Sequence, residues 1–277
     1  MTYDVLGPAA LDYMPCRYGT SKLVFRGPRR VLDGPYIAFL GGTQTFGKFI
    51  EQPFPLKVEH LTGVTSVNFG QINAGPDVFL KEAEVLATAQ AARATVLEVL
   101  GAANMSNLFY AVHPRRNDRF LHASGQLKRL YPDVDFTQFN FTQHMLTHLH
   151  RRDGERFVVV QRMLQRAWMR KMRQLLPRLG GRVVLLRIID SDRVGPAGDR
   201  WVDSASPAFV SDNMLEALAP LVNTVVDVLR VADGAEGQDA GLIFHQMEAD
   251  AVRLVAGPST HSDVARALLP VLDRVMK

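Results

Sequence analysis

Glycine and small polar residues stand together at three places where an apolar run of this sequence ends. They lie at 41–43 (GGT), 68–75 (NFGQINAG) and 101–107 (GAANMSN). Glycine lets the backbone turn sharply and bring its N–H groups close to a ligand, and such groups suit an anion or an oxyanion. A threonine hydroxyl can be a nucleophile when a base lies within hydrogen-bond reach. The three segments therefore predict a pocket for an anion or for acyl-transfer chemistry.

A parallel sheet would bring these three segments to one edge. Five apolar segments indicate strands: YIAFLGG, TSVNFGQINAG, ATVLEVLGAAN, GGRVVLLRI and VNTVVDVL. Helical patterns lie between them, which favours crossover connections and a parallel sheet covered on both faces. Ligands of such sheets bind at the carboxyl ends of the strands. The pattern thus predicts an α/β fold with its pocket where the three segments meet.

The helical patterns set the expected layout of the second half of the chain. A long helix is predicted over 156–179 and a shorter one near 212–221. Two helical pieces follow at the C-terminus, AGLIFHQMEADAVRLVA and SDVARALLPVLDRVM, separated by GPSTH. We expect residues 1–35 to form an irregular N-terminal arm or flap, and 36–277 to form a single domain.

Composition excludes several classes of protein. With 277 residues, 47% of them hydrophobic and 22% charged, the chain can bury a full core and is neither disordered nor a coiled coil. The lone cysteine, Cys16, permits no internal disulfide and fits a reducing compartment. The N-terminus lacks the pattern of a signal peptide, and no apolar run is long enough for a membrane helix. The expected location is the cytoplasm.

The order of these segments resembles the SGNH (GDSL-type) hydrolases, a flavodoxin-like α/β family of esterases, lipases and carbohydrate deacetylases. The segment LGGTQTFG is similar to the family's Gly-Asp-Ser block, with Gly42 at the aspartate position and Thr43 at the nucleophile position. The segment NFGQINAG is similar to the block that supplies an oxyanion-hole glycine, either Gly75 or Gly70. The resemblance implies a three-layer α/β/α fold with a mainly parallel, five-stranded sheet.

Two further blocks of that family have counterparts here. The segment GAAN resembles Gly-x-Asn-Asp with one extra residue, so the resemblance gives Asn104, or else Asn107, as an oxyanion donor. The segment PSTH resembles Asp-x-x-His before the C-terminal helix and gives His261 as the base, with Pro258 where the acid would stand. Threonine replaces serine and the acid is absent, which leaves a Thr–His dyad.

Three hypotheses for function follow. The leading one is an ester hydrolase or acyltransferase for a small-molecule or carbohydrate ester: Thr43 attacks the carbonyl, His261 moves the proton, and the Gly75 N–H with the Asn104 amide holds the oxyanion. The alternative is a catalytically inactive module of this fold that binds an anionic ligand, a polysaccharide or a partner protein, with Thr43 as a helix cap. The third is a sulfuryl or phosphoryl transferase, although the motif GxxxxGK[ST] is absent.

Other polar clusters have weaker implications. Four arginines share one face of the predicted long helix: Arg162, Arg166, Arg170 and Arg173. This face could bind an anionic ligand or could simply be solvated; nucleic acid is not expected, since no aromatic residues are interleaved with the arginines. The histidines of QHMLTHLH (144, 148 and 150) lack metal-ligand partners, so neither a metal nor a cofactor is expected. Asp199, Trp201 and Asp203 could border the pocket or be ordinary turn residues.

Overall fold

A computed structural model of the protein describes residues 11–190, 207–230 and 241–277. The strands are β1 (Tyr36–Leu40), β2 (Thr65–Asn68), β3 (Ala94–Glu98), β4 (Tyr110–Val112), β5 (Phe120–Ala123), β6 (Val183–Asp190) and β7 (Thr224–Arg230). The α-helices are α1 (Thr43–Phe46), α2 (Phe54–Thr62), α3 (Pro76–Leu80), α4 (Ala83–Ala91), α5 (Gly125–Leu130), α6 (Thr142–Arg152), α7 (Gly154–Leu175), α8 (Asp212–Glu216), α9 (Ala249–Val252) and α10 (Pro258–Val275). Short 3-10 turns lie at Phe136–Gln138, Leu176–Leu179, Ala219–Leu221 and Gln246–Glu248.

The main sheet has five strands in the order β2-β1-β3-β6-β7, and every neighbouring pair is parallel. β1 lies between β2 and β3, with Ile37 opposite both Ser66 and Ala94. This order, in which the chain reverses direction across the sheet after β2, is the flavodoxin-like one. A separate antiparallel hairpin is formed by β4 and β5. The predicted α/β class with a mainly parallel five-stranded sheet is confirmed.

Helices cover both faces of the sheet because alternate side chains of its strands point in opposite directions. On one face, Ala38 and Leu40 belong to a large core that includes residues of α3, α4 and α7. On the other face, Ile37 and Phe39 pack in a second core with residues of α2 and α10. The result is three layers, with the carboxyl ends of the strands left free for a site.

The long helix and the C-terminal helix differ in detail from their predicted bounds. The predicted helix over 156–179 is α7 followed by the 3-10 turn to Leu179. The C-terminal helix begins at Pro258, four residues earlier than expected, because Gly257 is its N-cap and proline suits the first helical position. The PSTH segment is therefore the first turn of α10 and not a loop before it. In the preceding segment, predicted as helical, the described residues 241–256 form a 3-10 turn and the four-residue helix α9.

Residues 11–35 contain little regular structure, but they are packed against the rest of the chain. Leu23 and Phe25 are buried in the large core. The guanidinium of Arg26 is buried too, and it donates hydrogen bonds to the carbonyls of Gly47 (2.5 Å) and Glu51 (2.8 Å) in the loop after α1. A division of the chain at residue 35 stays a prediction.

Candidate functional site

A pocket of about 360 Å³ lies at the carboxyl ends of β1 and β3. Its lining includes Gly42 and Thr43 after β1, Asn73 after β2, and Asn104 after β3. The structure thus brings residues from all three glycine-containing segments to one place. Apolar side chains, among them Ile72, Leu146, Phe209 and Leu254, also line it.

The Thr43 hydroxyl is held at the edge of the pocket by Asn73. It donates to the Asn73 side-chain oxygen (3.2 Å) and accepts the backbone N–H of the same residue (3.0 Å). Asn73 has a left-handed backbone (φ 54°), which asparagine tolerates better than most residues. Its side-chain amide donates in turn to Asp118 (3.2 Å). The Thr43 hydroxyl is therefore a fixed link between two loops.

The predicted oxyanion donors are engaged in bonds within the protein. The Gly75 N–H donates to the side-chain oxygen of Asn117 (3.0 Å), and a Cβ at Gly75 would collide with the Asn104 carbonyl. The Asn104 amide donates to the Asn73 carbonyl (3.1 Å), and its oxygen accepts the Thr142 hydroxyl (2.7 Å). These bonds shape the walls of the pocket. They leave the Asn104 amide one further N–H for a ligand.

Asn107 and Gly70, the alternative candidates for the oxyanion donors, have structural roles. The Asn107 side chain closes a turn, since its oxygen accepts the N–H groups of Phe109 (2.8 Å) and Tyr110 (3.2 Å). The Gly70 N–H donates to Asn68 (2.8 Å), and its α-carbon lies against the backbone of Phe46. Neither Asn107 nor Gly70 lines the pocket that contains Thr43.

His261, the predicted base, does not line the pocket that contains Thr43. It lies in the first turns of α10, 1% exposed, on the face of the sheet that α2 covers. Its Nδ1 accepts the Phe54 N–H (3.0 Å), and its ring stacks on that of Phe54. Burial, and to a smaller extent the nearby charges of Arg26 and Lys57, lower its pKa to about 3. A Thr43–His261 dyad needs the imidazole within hydrogen-bond reach of the Thr43 hydroxyl. The His261 ring instead points into the core from the start of α10 and is bonded to Phe54.

Glu98 is a pocket residue that the sequence patterns missed. It is the last residue of β3 and lines the pocket beneath Gly42. Its Oε2 accepts three hydrogen bonds, from the N–H of Gly42 (2.8 Å) and from the N–H (2.9 Å) and hydroxyl (2.5 Å) of Thr45. Burial raises the pKa of this carboxyl, while the bonds from Thr45 and Gly42 act in the opposite direction. The sequence signal that could have identified Glu98 is an acidic residue at the end of the apolar run ATVLE.

The remaining charged and metal-binding candidates that the structure describes do not line the pocket of Thr43. His144 and His148 pack against the ring of Phe139, and the described residues contain no group of side chains suited to a metal ion. The four arginines predicted on one face are exposed along α7. Whether they bind an anionic ligand stays a prediction. Asp199, Trp201 and Asp203 lie outside the described residues.

The fold and pocket define a three-layer α/β protein with a pocket at the carboxyl ends of its parallel strands. The chain belongs to the family described as domain of unknown function (DUF6473), whose model matches residues 1–276. No curated protein matches it. Across the described residues, no helix is both long and apolar enough to cross a membrane.

Two solved structures are similar in part. One is a two-domain esterase active on acetylated mannans, crystallised with mannopentaose: 14% identity, 88% of this chain, 50% of that chain, TM-score 0.40. The other is a protein from Streptococcus pneumonia provisionally described as a platelet activating factor: 16% identity, 86% of this chain, 84% of that chain, TM-score 0.37. This chain thus spans half the length of the first. At these levels of similarity neither structure assigns a substrate here.

Proposed function

We propose that this protein is a binding module whose pocket takes a hydroxyl-rich small ligand, such as a saccharide, without hydrolysing an ester. One observation carries the proposal: the Thr43 hydroxyl is fixed by Asn73, and no histidine lines its pocket. All eight histidines of the chain fall within the described residues, so none is overlooked.

The pocket's polar lining suits a ligand with several hydroxyl groups. Amide side chains reach it from four segments: Gln44, Asn73, Asn104 and Gln143. Each amide offers two donors and an oxygen with two lone pairs, so it can bind a ligand hydroxyl beyond the bonds made within the protein. Apolar side chains on the other walls can pack against the C–H faces of a sugar ring. An anionic ligand is less favoured here, because the Glu98 carboxyl faces the same space.

An ester hydrolase or acyltransferase that uses Thr43 and His261 is the rival function. It requires the threonine proton to pass to a base, whereas Thr43 donates to an amide oxygen that cannot accept it. It also requires free oxyanion donors, whereas the Gly75 N–H is already bound by Asn117. Among the described residues, Thr43 donates to no base, and of the two predicted oxyanion donors only the Asn104 amide keeps an N–H for a ligand.

The two functions differ in turnover. We expect wild type, Thr43→Ala and Thr43→Ser to hydrolyse p-nitrophenyl acetate at the same rate, equal to that of buffer. The Thr43→Ser variant is the more stringent test, because it places at residue 43 the serine nucleophile of the SGNH hydrolases. Turnover that Thr43→Ala abolishes, with a neutral pH limb that His261→Ala removes, would contradict the proposal.

Binding is tested directly by ligand-observed NMR with glucose, N-acetylglucosamine and glucosamine. We expect at least one of these sugars to bind wild type. We expect Asn73→Gly to weaken that binding, because it removes a pocket amide at a left-handed position that glycine adopts readily. Absence of binding for all three sugars would count against a hydroxyl-rich ligand.

A further inference from the structure

The two oxygens of the Glu98 carboxyl have different surroundings. Oε2 receives all three hydrogen bonds, from Gly42 before α1 and from Thr45 within it. Oε1 accepts no hydrogen bond from the described residues, and the partly exposed side chain lines the pocket. One oxygen thus holds the loop, and the other is left for a ligand.

Gly42 keeps Oε1 accessible. A Cβ at residue 42 would lie 3.3 Å from Oε1 and 3.3 Å from the Leu100 side chain, so a larger side chain would fill this part of the pocket. The SGNH-like resemblance would put an aspartate at this position. In this chain the acid comes from the neighbouring strand, and two carboxylates in contact would repel each other.

The described residues provide no cation for Glu98. No lysine or arginine there forms an ion pair with it, and Lys48 is the only basic side chain in the pocket's described lining. The Lys48 ammonium pairs with Glu248 (3.5 Å) and lies over the Phe49 ring (4.4 Å). A half-buried carboxyl without a counter-ion is costly in its charged form, which agrees with the raised pKa of Glu98.

We propose that Oε1 of Glu98 binds a positively charged nitrogen of the ligand, so the ligand is a polyol that carries a free amine, such as an amino sugar. This inference rests on the proposed function, since it names the class of ligand for the same pocket. An ammonium group would supply the missing charge and up to three hydrogen-bond donors. Charge-assisted hydrogen bonds of this kind are shorter and stronger than neutral ones.

The test compares three sugars that share one ring: glucosamine, N-acetylglucosamine and glucose. Wild type should bind glucosamine about tenfold more tightly than the other two by calorimetry, as expected for one added charge-assisted bond. In Glu98→Gln, the amide oxygen can still accept the bonds from Gly42 and Thr45, but an NH₂ group replaces Oε1. The glucosamine preference should disappear while the thermal unfolding midpoint is kept.

Two further variants separate the charge effect from other causes. Glu216→Gln makes the same change in net charge at an exposed site on α8 and should keep the preference. Gly42→Ala leaves Glu98 intact but puts a methyl group near Oε1. It should weaken glucosamine binding even if Glu98→Gln fails to fold.

The outcomes distinguish this inference from the function on which it rests. Sugars that bind wild type with no preference for glucosamine would overturn the inference and leave the proposed function standing. A glucosamine preference that survives in Glu98→Gln would also overturn it. If none of the three sugars binds wild type, both proposals fail.

Discussion

At the scale of single residues, His261 is a buried histidine that stays neutral near physiological pH. Its Nδ1 accepts the backbone N–H of Phe54, and its Nε2 is buried without a hydrogen-bond partner in the described part of the chain. Both features penalise the imidazolium, because a second proton would break the Nδ1 bond and put a charge in an apolar site. The pKa of His261 is accordingly lowered from 6.5 to about 3.

This shift predicts how stability depends on pH. The unfolded chain binds a proton near pH 6.5, whereas the folded chain does not until about pH 3. The contribution of His261 is therefore complete above pH 6.5. It is lost as pH falls towards 3, by about 1.4 kcal/mol for each pH unit. Urea unfolding at pH 7, 6, 5 and 4 measures this slope.

The matched variant is His261→Asn, whose side-chain oxygen can still accept the Phe54 N–H. Its unfolding free energy should be lower than that of wild type at pH 7 but should change less between pH 6.5 and 4. Equal slopes in the two proteins would show that His261 does not set this part of the acid sensitivity.

Sequence patterns located some pocket residues and not others for definite reasons. Thr43 and Asn104 were found because small polar residues after glycine mark the ends of buried strands. Asn73 and Glu98 were missed because their roles depend on neighbours that are distant in sequence. His261 was expected at the pocket, yet the proline before it was a signal that the helix had already begun.

At the scale of secondary-structure elements, an ion pair joins α3, α7 and the loop after β3. Asp77 is 3% exposed. One of its carboxylate oxygens pairs with the Lys171 ammonium, and the other accepts a hydrogen bond from the Ser106 N–H (2.8 Å). The loop held in this way continues from the one that carries Asn104. The pair therefore helps to position one wall of the pocket from the far side of the core.

Removing one partner of this pair should be strongly destabilising. We expect Asp77→Ala to lower the unfolding free energy by about 3 kcal/mol, the low end for a buried pair, because it leaves the partly buried Lys171 charge unpaired. Adding Lys171→Met should recover part of the loss, since the charge is then removed as well. Denaturant unfolding of the two single variants and the double variant measures the coupling, and additive losses would contradict it.

Element types were easier to predict than element ends. The strand YIAFL and the long helix were read correctly because their apolar patterns extend over enough residues. The helical pattern between the second and third strands corresponds to two short helices, α3 and α4, separated at 81–82. The segment 105–155 lacked a strong pattern, yet it contains the β4–β5 hairpin and α6, because packing and not periodicity fixes them.

At the scale of the whole molecule, the α/β class followed from alternation alone, whereas the contents of the pocket did not. Alternating strands and helices restrict a chain to few topologies, and right-handed crossovers restrict it further. Side-chain partners at the strand ends depend on how loops fold over one another. The pairing of Thr43 with Asn73 and of Glu98 with Gly42 could be obtained only from the structure.

The exposed face of α7 predicts a second, electrostatic mode of binding. Arg162, Arg166, Arg170 and Arg173 form no ion pair within the part of the chain that the structure describes. We expect Arg166→Gln/Arg170→Gln to elute from immobilised heparin at lower salt than wild type, because exposed charges attract an anionic polymer through a screened field.

Two arginines of α10 provide the control for that experiment. The exposed Arg266 and Arg274 lie on a different helix, and replacing both by glutamine makes an equal change in net charge. If heparin binds specifically to the α7 surface, the control variant should shift less in elution than Arg166→Gln/Arg170→Gln. Equal shifts would mean that heparin responds to net charge alone.

The buried Arg26 guanidinium has a practical consequence for anyone who shortens this protein. A recombinant piece that starts at Tyr36 would lose the donor for three carbonyls, one at the end of α1 and two in the loop after it. It would also uncover the ring of Phe69, against which Tyr18 and Phe25 pack edge-on. Unpaired carbonyls and an exposed aromatic ring promote aggregation during purification. The shortest fragment worth expressing therefore begins before Tyr18.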